Sequence, residues 1–299
     1  MATLREIRRR ISGIKSIQKI TKAMKMVAAA RLRRAQEAIL SARPYARTMQ
    51  TLIAHLVAEV DASLHPLLLP REVRKTLLVV VTSDRGLCGA FNSNIIRAAT
   101  LYVRDGFPAD RRTEHQIRLM CIGKKGVEYF GKRNYELLAR HAGIFQHLDF
   151  NNARGIVSEL ISGYLAGEFD RVDVIYNEFK NVLQQRVVTE QLLPIPAESL
   201  SAADMRKAHA IVEYIYEPAA KEIIDALLPK HLNFQMWRIL LESNAAGLGA
   251  QMSAMDNATE NARELITDLT LSYNKARQAS ITKELLEIVG GAEALKQAS

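Results

Sequence analysis

Cysteine is nearly absent: Cys88 and Cys121 are the only two in 299 residues, far apart and in no CxxC or Cys/His cluster. That spacing argues against a disulfide framework or a zinc site and suits a reducing compartment, with both thiols read as small buried hydrophobes. No apolar run approaches the roughly 18 residues needed to cross a bilayer; none is longer than Leu77–Val81. Residues 1–44 contain no aromatic side chain. This weakens a nucleic-acid reader, which would add stacking aromatics, and a membrane-surface helix, which would show Trp or Phe on its apolar face. Neither G-x-x-x-x-G-K-[ST] nor G-x-G-x-x-G occurs, so no tight nucleotide site is expected. The seven histidines are scattered singly. No catalytic residue, cofactor or metal ligand is expected.

Proline is missing from Gln235 to Val289, and the only glycines there are Gly247 and Gly249. Within that stretch Leu248, Met252, Met255, Thr259, Ala262, Ile266, Leu269, Tyr273, Ala276 and Ser280 follow at alternating steps of four and three. This is a heptad seam. A helix of that length would extend about 80 Å at about 1.5 Å per residue, so its seam calls for a second helix.

The other end of the chain supplies one. Leu4, Ile7, Ile11, Ile14, Ile17, Ile20, Met24 and Val27 recur at steps of three and four, followed by Ala28, Leu32, Ala35 and Ile39. Pro44 is expected to kink this helix, and Met49, Leu52, Ile53, Leu56 and Val60 extend the stripe. Residues 1–47 carry thirteen Lys/Arg against Glu6 and Glu37, whereas the remainder holds 28 bases and 30 acids. A basic segment of this kind attracts a polyanion. With nucleic acid and membrane disfavoured, an acidic protein surface is the expected partner.

Between the two helices the pattern changes. Strands are expected at Thr76–Thr82, Ile117–Ile122, Glu136–Arg140, Val172–Phe179 and Gln185–Leu192, the last two as a hairpin. Helices are expected at Asn94–Arg104, Lys124–Tyr129, Asn151–Leu165 and Ala219–Leu228, with a loop at Pro194–Met205. Alternation of this kind implies a mostly parallel, helix-flanked sheet. The fold class is α/β: a long antiparallel coiled coil of N- and C-terminal helices with an inserted Rossmann-like domain. The divisions are 1–60 (N-terminal shaft helix), 75–195 (α/β domain), 196–230 (foot loop and short helix) and 231–299 (C-terminal shaft helix).

The most site-like stretch is Ser83–Asn92 (SDRGLCGAFN), between a strand and a helix, where Gly86 and Gly89 could turn backbone amides toward an anion. The same glycines serve a tight turn equally well. Three readings are therefore carried: a coiled-coil coupling protein, a basic coiled coil associated with nucleic acid, and a nucleotide-binding α/β enzyme.

Six segments resemble the gamma subunit of the F-type ATP synthase: Ile17–Arg31 (IQKITKAMKMVAAAR), Arg43–Ala46 (RPYA), Ser83–Asn92, Tyr214–Pro218 (YIYEP), Met252–Ala262 (MSAMDNATENA) and Ser272–Val289 (SYNKARQASITKELLEIV). The resemblance implies a non-catalytic rotor shaft that couples proton flow through a membrane ring to ATP synthesis or hydrolysis at the beta subunits. It implies Met24, Lys25, Arg277, Gln278, Thr282 and Glu284 as contacts to the alpha/beta hexamer. It implies Tyr214, Tyr216 and Glu217 as contacts to the epsilon subunit and the c-ring. The membrane is met only through the complex, on the cytoplasmic face of a bacterial inner membrane or, alternatively, on the mitochondrial matrix side. Ala246–Gly249 departs from the family pattern, and two glycines there are expected to soften the rod.

Overall fold

Lys75–Val81 forms β1, and its burial sets the plan of the middle of the chain: every residue from Thr76 to Val81 is buried. A strand covered on both faces needs neighbours on both edges and helices above and below. The computed structural model describes residues 3–59, 65–105, 115–182, 184–196 and 220–297. Their elements in order are α1 (Leu4–Glu59), β1, α2 (Phe91–Asp105), β2 (Gln116–Ile122), α3 (Lys124–Phe130), β3 (Leu137–His141), α4 (Phe150–Leu165), β4 (Arg171–Phe179), β5 (Gln185–Leu193) and α5 (Ala220–Gln297). The strands form one sheet in the order β3-β2-β1-β4-β5, parallel except for the antiparallel β4–β5 hairpin.

Alternation along β1 divides the core. Leu77, Val79 and Val81 face one layer with Ile156 and Leu160 of α4 and Leu232, Met236 and Ile239 of α5. Leu78 and Val80 face the other, with Ile95 and Ala99 of α2 and Phe130 of α3. The expected strands and helices lie where the pattern put them, to within a few residues at each boundary. One expectation changes. The short helix at Ala219–Leu228 is not separate, because α5 runs from Ala220 through Pro229 as one helix. The stripe beyond Pro44 belongs to α1, which runs on as helix past that proline.

The chain divides into two compact units, Met1–Val27 with Met252–Ser299, and Ala28–Gln251. In the second unit, Gly247 and Gly249 have a packing reason. A Cβ on Gly247 would meet the Phe91 ring at 3.4 Å, and one on Gly249 the Phe179 ring at 3.3 Å. The glycines let α5 lie close against these two aromatic rings. Gly247→Ala is therefore expected to stabilise the chain by up to about 1 kcal/mol through helix propensity. Gly249→Ala, where the ring must yield, is expected to be near neutral. Thermal melts of the two variants check this; a large loss with Gly247→Ala would contradict it.

A part-buried polar cluster joins α5 to the β4–β5 hairpin. Arg238 donates to Glu190 at 2.6 and 2.8 Å, to the Tyr176 hydroxyl at 3.1 Å and to Glu242 at 3.4 Å. His231, two turns before Arg238 and 4% exposed, sits 3.5 Å from Gln235. Burial, with the nearby Arg238 charge, lowers its pKa from 6.5 to about 4, opposed by Glu190. His231 is thus neutral in the fold and takes up a proton in the unfolded chain near pH 6.5. Stability is then expected to fall as pH drops from 6.5 to 4, by about 3 kcal/mol at most. In denaturant titrations, His231→Gln should flatten that part of the pH profile; an unchanged slope would rule His231 out.

Candidate functional site

The seam of α5 occupies the positions its spacing predicts. From Arg263 to Ser280 the residues that are not exposed are Ile266, Leu269, Tyr273, Ala276 and Ser280, all on the 4-3 repeat. Their neighbour is α1, running antiparallel. Thr21 and Thr259 share a hydrogen bond of 2.7 Å between hydroxyls, and Lys25 Nζ lies 2.6 Å from the Asp256 carboxylate. Continued one residue for one from Thr21–Thr259, this register sets Ile14 level with Ile266, Ile11 with Leu269, Ile7 with Tyr273 and Leu4 with Ala276. All four α1 positions are withdrawn from solvent.

On α1 the predicted stripe needs correction. Ile17, Ile20 and Val27 are 53%, 58% and 51% exposed, and Gln18 and Thr21 turn inward instead. The true seam holds the heptad spacing, whereas the isoleucines between its positions form a second, outward apolar line. Leu265 and Leu271 on α5 are likewise exposed. Beyond Ser280, past the register position of Leu4, residues 281–292 of α5 are all exposed, including Ile281, Leu285, Leu286, Ile288 and Val289. Apolar side chains left outward in such numbers mark an interaction surface.

The site residues expected from the sequence fall at different places. Met24 is half-buried, and Lys25 is held by Asp256. Arg277, Gln278, Thr282 and Glu284 are all exposed, with the Thr282 hydroxyl donating to the Gln278 carbonyl at 3.0 Å. They lie at and past the end of the pairing. Tyr214, Tyr216 and Glu217 lie outside the described residues, as does most of the loop at Pro194–Met205.

Ser83–Asn92 is a turn that bonds to itself. The Ser83 amide donates to Asn92 Oδ1 at 3.0 Å, and Asn92 Nδ2 donates to Ser83 Oγ at 2.9 Å and Cys88 Sγ at 3.1 Å. Leu87 and Gly89 take left-handed φ values of 63° and 57°, which for leucine is uncommon. Asp84, unremarked in the sequence, is the organising group. Its carboxylate accepts the amides of Lys124, Gly143 and Phe145, each at 2.8 Å. One side chain thus fixes the loops that follow β1, β2 and β3. Nucleophilic chemistry finds no support at Cys88, where burial pushes the thiol pKa up, the opposite of activation. At Cys121 burial raises it to about 12.

The arrangement defines an interaction protein: a helix pair with an apolar seam inside and an unsatisfied apolar surface outside, built from a chain that also carries an α/β sheet. Comparison places it. Residues 3–295 match the family model for ATP synthase. The gamma chain of Chloroherpeton thalassium is 52% identical over the full length of both chains, and that of Chlorobaculum tepidum 54% identical over 99% of this chain and 100% of its own. Among solved structures, the central stalk and c-ring of Tetrahymena thermophila mitochondrial ATP synthase aligns with a TM-score of 0.56 at 26% identity, covering 80% of this chain and 99% of that one. A chain of Euglena gracilis mitochondrial ATP synthase aligns at 0.63 and 20% identity, covering 98% and 94%, and shares the fold. The chain belongs to the ATP synthase family, among its gamma chains. It is accordingly the central-stalk subunit of an F-type ATP synthase, a membrane-associated complex, and the coupling reading stands over the other two.

Proposed function

We propose that this chain acts as a non-catalytic rotor shaft, coupling proton flow through a c-ring to ATP synthesis and hydrolysis on beta subunits. Residues 1–60 and 231–299 are the shaft, 75–195 the α/β domain, and 196–230 the foot. The observation that carries the reading is the outward apolar surface of Ile281, Leu285, Leu286, Ile288 and Val289, with cationic side chains elsewhere along the pair. Water is a poor neighbour for that tip, and the lining of an alpha/beta hexamer would cover it. Met24 and Lys25, and Arg277, Gln278, Thr282 and Glu284, are its hexamer contacts. Tyr214, Tyr216 and Glu217 face the epsilon subunit and the c-ring. Lys15, Lys19 and Lys22, with no carboxylate partner among the described residues, supply diffuse attraction to acidic loops. The bacterial relatives support a place on the cytoplasmic face of the inner membrane.

Arg277 and Gln278, exposed where pairing ends, report the shaft's angle to the catalytic subunits. Replacing both with alanine is expected to lower ATP hydrolysis by the assembled complex about tenfold or more, a loss of about 1.4 kcal/mol in barrier stabilisation. Steady-state hydrolysis by the purified, fully assembled variant is the measurement; an unchanged rate would remove these residues from the coupling role.

A further inference from the structure

A cavity of about 600 Å³ opens among α1, α5 and the loops that follow β1 and β3, all within residues 28–251. We infer that it binds a small organic phosphate carrying a planar ring, a role independent of the rotor reading. Its size lies in the range of small-molecule sites. It sits at the carboxyl ends of the parallel strands, beside β1, where strand addition reverses from β2 and β3 to β4; ligands of open α/β sheets bind at such places.

One side of the cavity is cationic. Arg31 and Arg34 project from consecutive positions of one α1 face, and Arg85 comes from the loop after β1. None of the three has a carboxylate partner among the described residues. The one acid in the lining, Asp84, already has its carboxylate taken up by three backbone amides. Three guanidinium charges thus face a single carboxylate, an excess of positive charge, and guanidinium forks match the geometry of phosphate oxygens. Another side, with Trp237, Leu241 and Leu248, offers a ring an apolar wall. Ser243 also lines the cavity, 2% exposed, and its hydroxyl has no hydrogen-bond partner. Buried hydroxyls are ordinarily satisfied, and a ligand oxygen would complete this one. No phosphate motif announces the site because its cations come from segments about fifty residues apart rather than from one glycine-rich loop.

Trp237 is the only tryptophan in the chain, so its fluorescence reports directly on the cavity. The full-length chain is titrated with ADP, with adenosine (ring without phosphate) and with pyrophosphate (phosphate without ring). A saturable change is expected for ADP, at least about tenfold tighter than for either fragment, and weaker at high salt. Arg31→Gln with Arg34→Gln should weaken ADP binding about tenfold or more. Both side chains are exposed, and a matching thermal melt verifies that the fold is kept. Ser243→Ala should weaken it several-fold, as judged also by ligand-observed NMR. The inference is overturned if ADP binds no better than adenosine, if the double arginine variant binds ADP as wild type does, or if a Glu-rich peptide changes the signal and ADP does not.

Discussion

Changing Ile266 and Leu269 together to serine is expected to leave a complex that assembles and hydrolyses ATP but moves few protons for each ATP consumed. Both residues are on the seam, withdrawn from solvent where their neighbours are exposed. By register they stand level with Ile14 and Ile11 of α1. Burying a side chain of that size contributes roughly 1.5–3 kcal/mol, and the layers on either side compensate little. Toward the C-terminal end of α5 only the Ile7–Tyr273 and Leu4–Ala276 layers remain; in the other direction the next contacts are the small Ala262 and the Thr21–Thr259 hydrogen bond. Losing two adjacent apolar layers separates the helices over a span that the remaining seam cannot bridge. Torque would then dissipate in the shaft while the catalytic sites, on other chains, continue to turn over. Hydrolysis and proton pumping measured side by side in inverted vesicles decide the matter. A variant that pumps in full proportion to its hydrolysis would show that these layers do not carry the load.

The heptad of α5 was legible because its spacing is strict and most residues between seam positions are polar or small. On α1 the hydropathy pattern misled, for a physical reason. Ile17, Ile20 and Val27 are apolar without being core, because α1 presents two apolar lines, one to α5 and one outward. Hydrophobic periodicity cannot separate a face buried within the chain from a face left to a partner. The sheet was readable from β-branched runs between turns, down to the weak edge strand at Leu137–His141. What remained invisible depended on distant contacts. Asp84 binds amides 40 to 61 residues away, and Gly247 and Gly249 look like helix defects until Phe91 and Phe179 are seen against them.

Arg238 is expected to be the most costly single truncation in the α/β unit. Its guanidinium spans Glu190 on β5, Tyr176 on β4 and Glu242 on its own helix, and the Tyr176 hydroxyl in turn donates to Glu190 at 3.0 Å. Burial raises the Tyr176 pKa, keeping the phenol protonated as a donor. It also raises that of Glu242, a shift that the Arg238 charge opposes. Arg238→Ala removes the cation and leaves two carboxylates facing each other in a part-buried site. Breaking a buried pair costs about 3–5 kcal/mol. Because Arg238 and Glu190 keep 30% and 33% of their side-chain surface, solvent screening places the loss near the low end, about 3 kcal/mol. For a unit of this size that lowers Tm by about 10 °C. Exchanging both partners, Arg238→Met with Glu190→Leu, should recover most of that loss, since an apolar pair carries no uncompensated charge. The double variant serves a second purpose. A bidentate fork fixes the angle between α5 and the β4–β5 hairpin, whereas an apolar contact of equal stability lets the two slide. Thermal melts of the full chain measure the first effect, and the ratio of proton pumping to hydrolysis in assembled complexes the second. If Arg238→Ala melts within a degree or two of wild type, the cluster does not hold the helix to the sheet. If the apolar pair couples as tightly as the ionic one, apolar packing alone sets the angle.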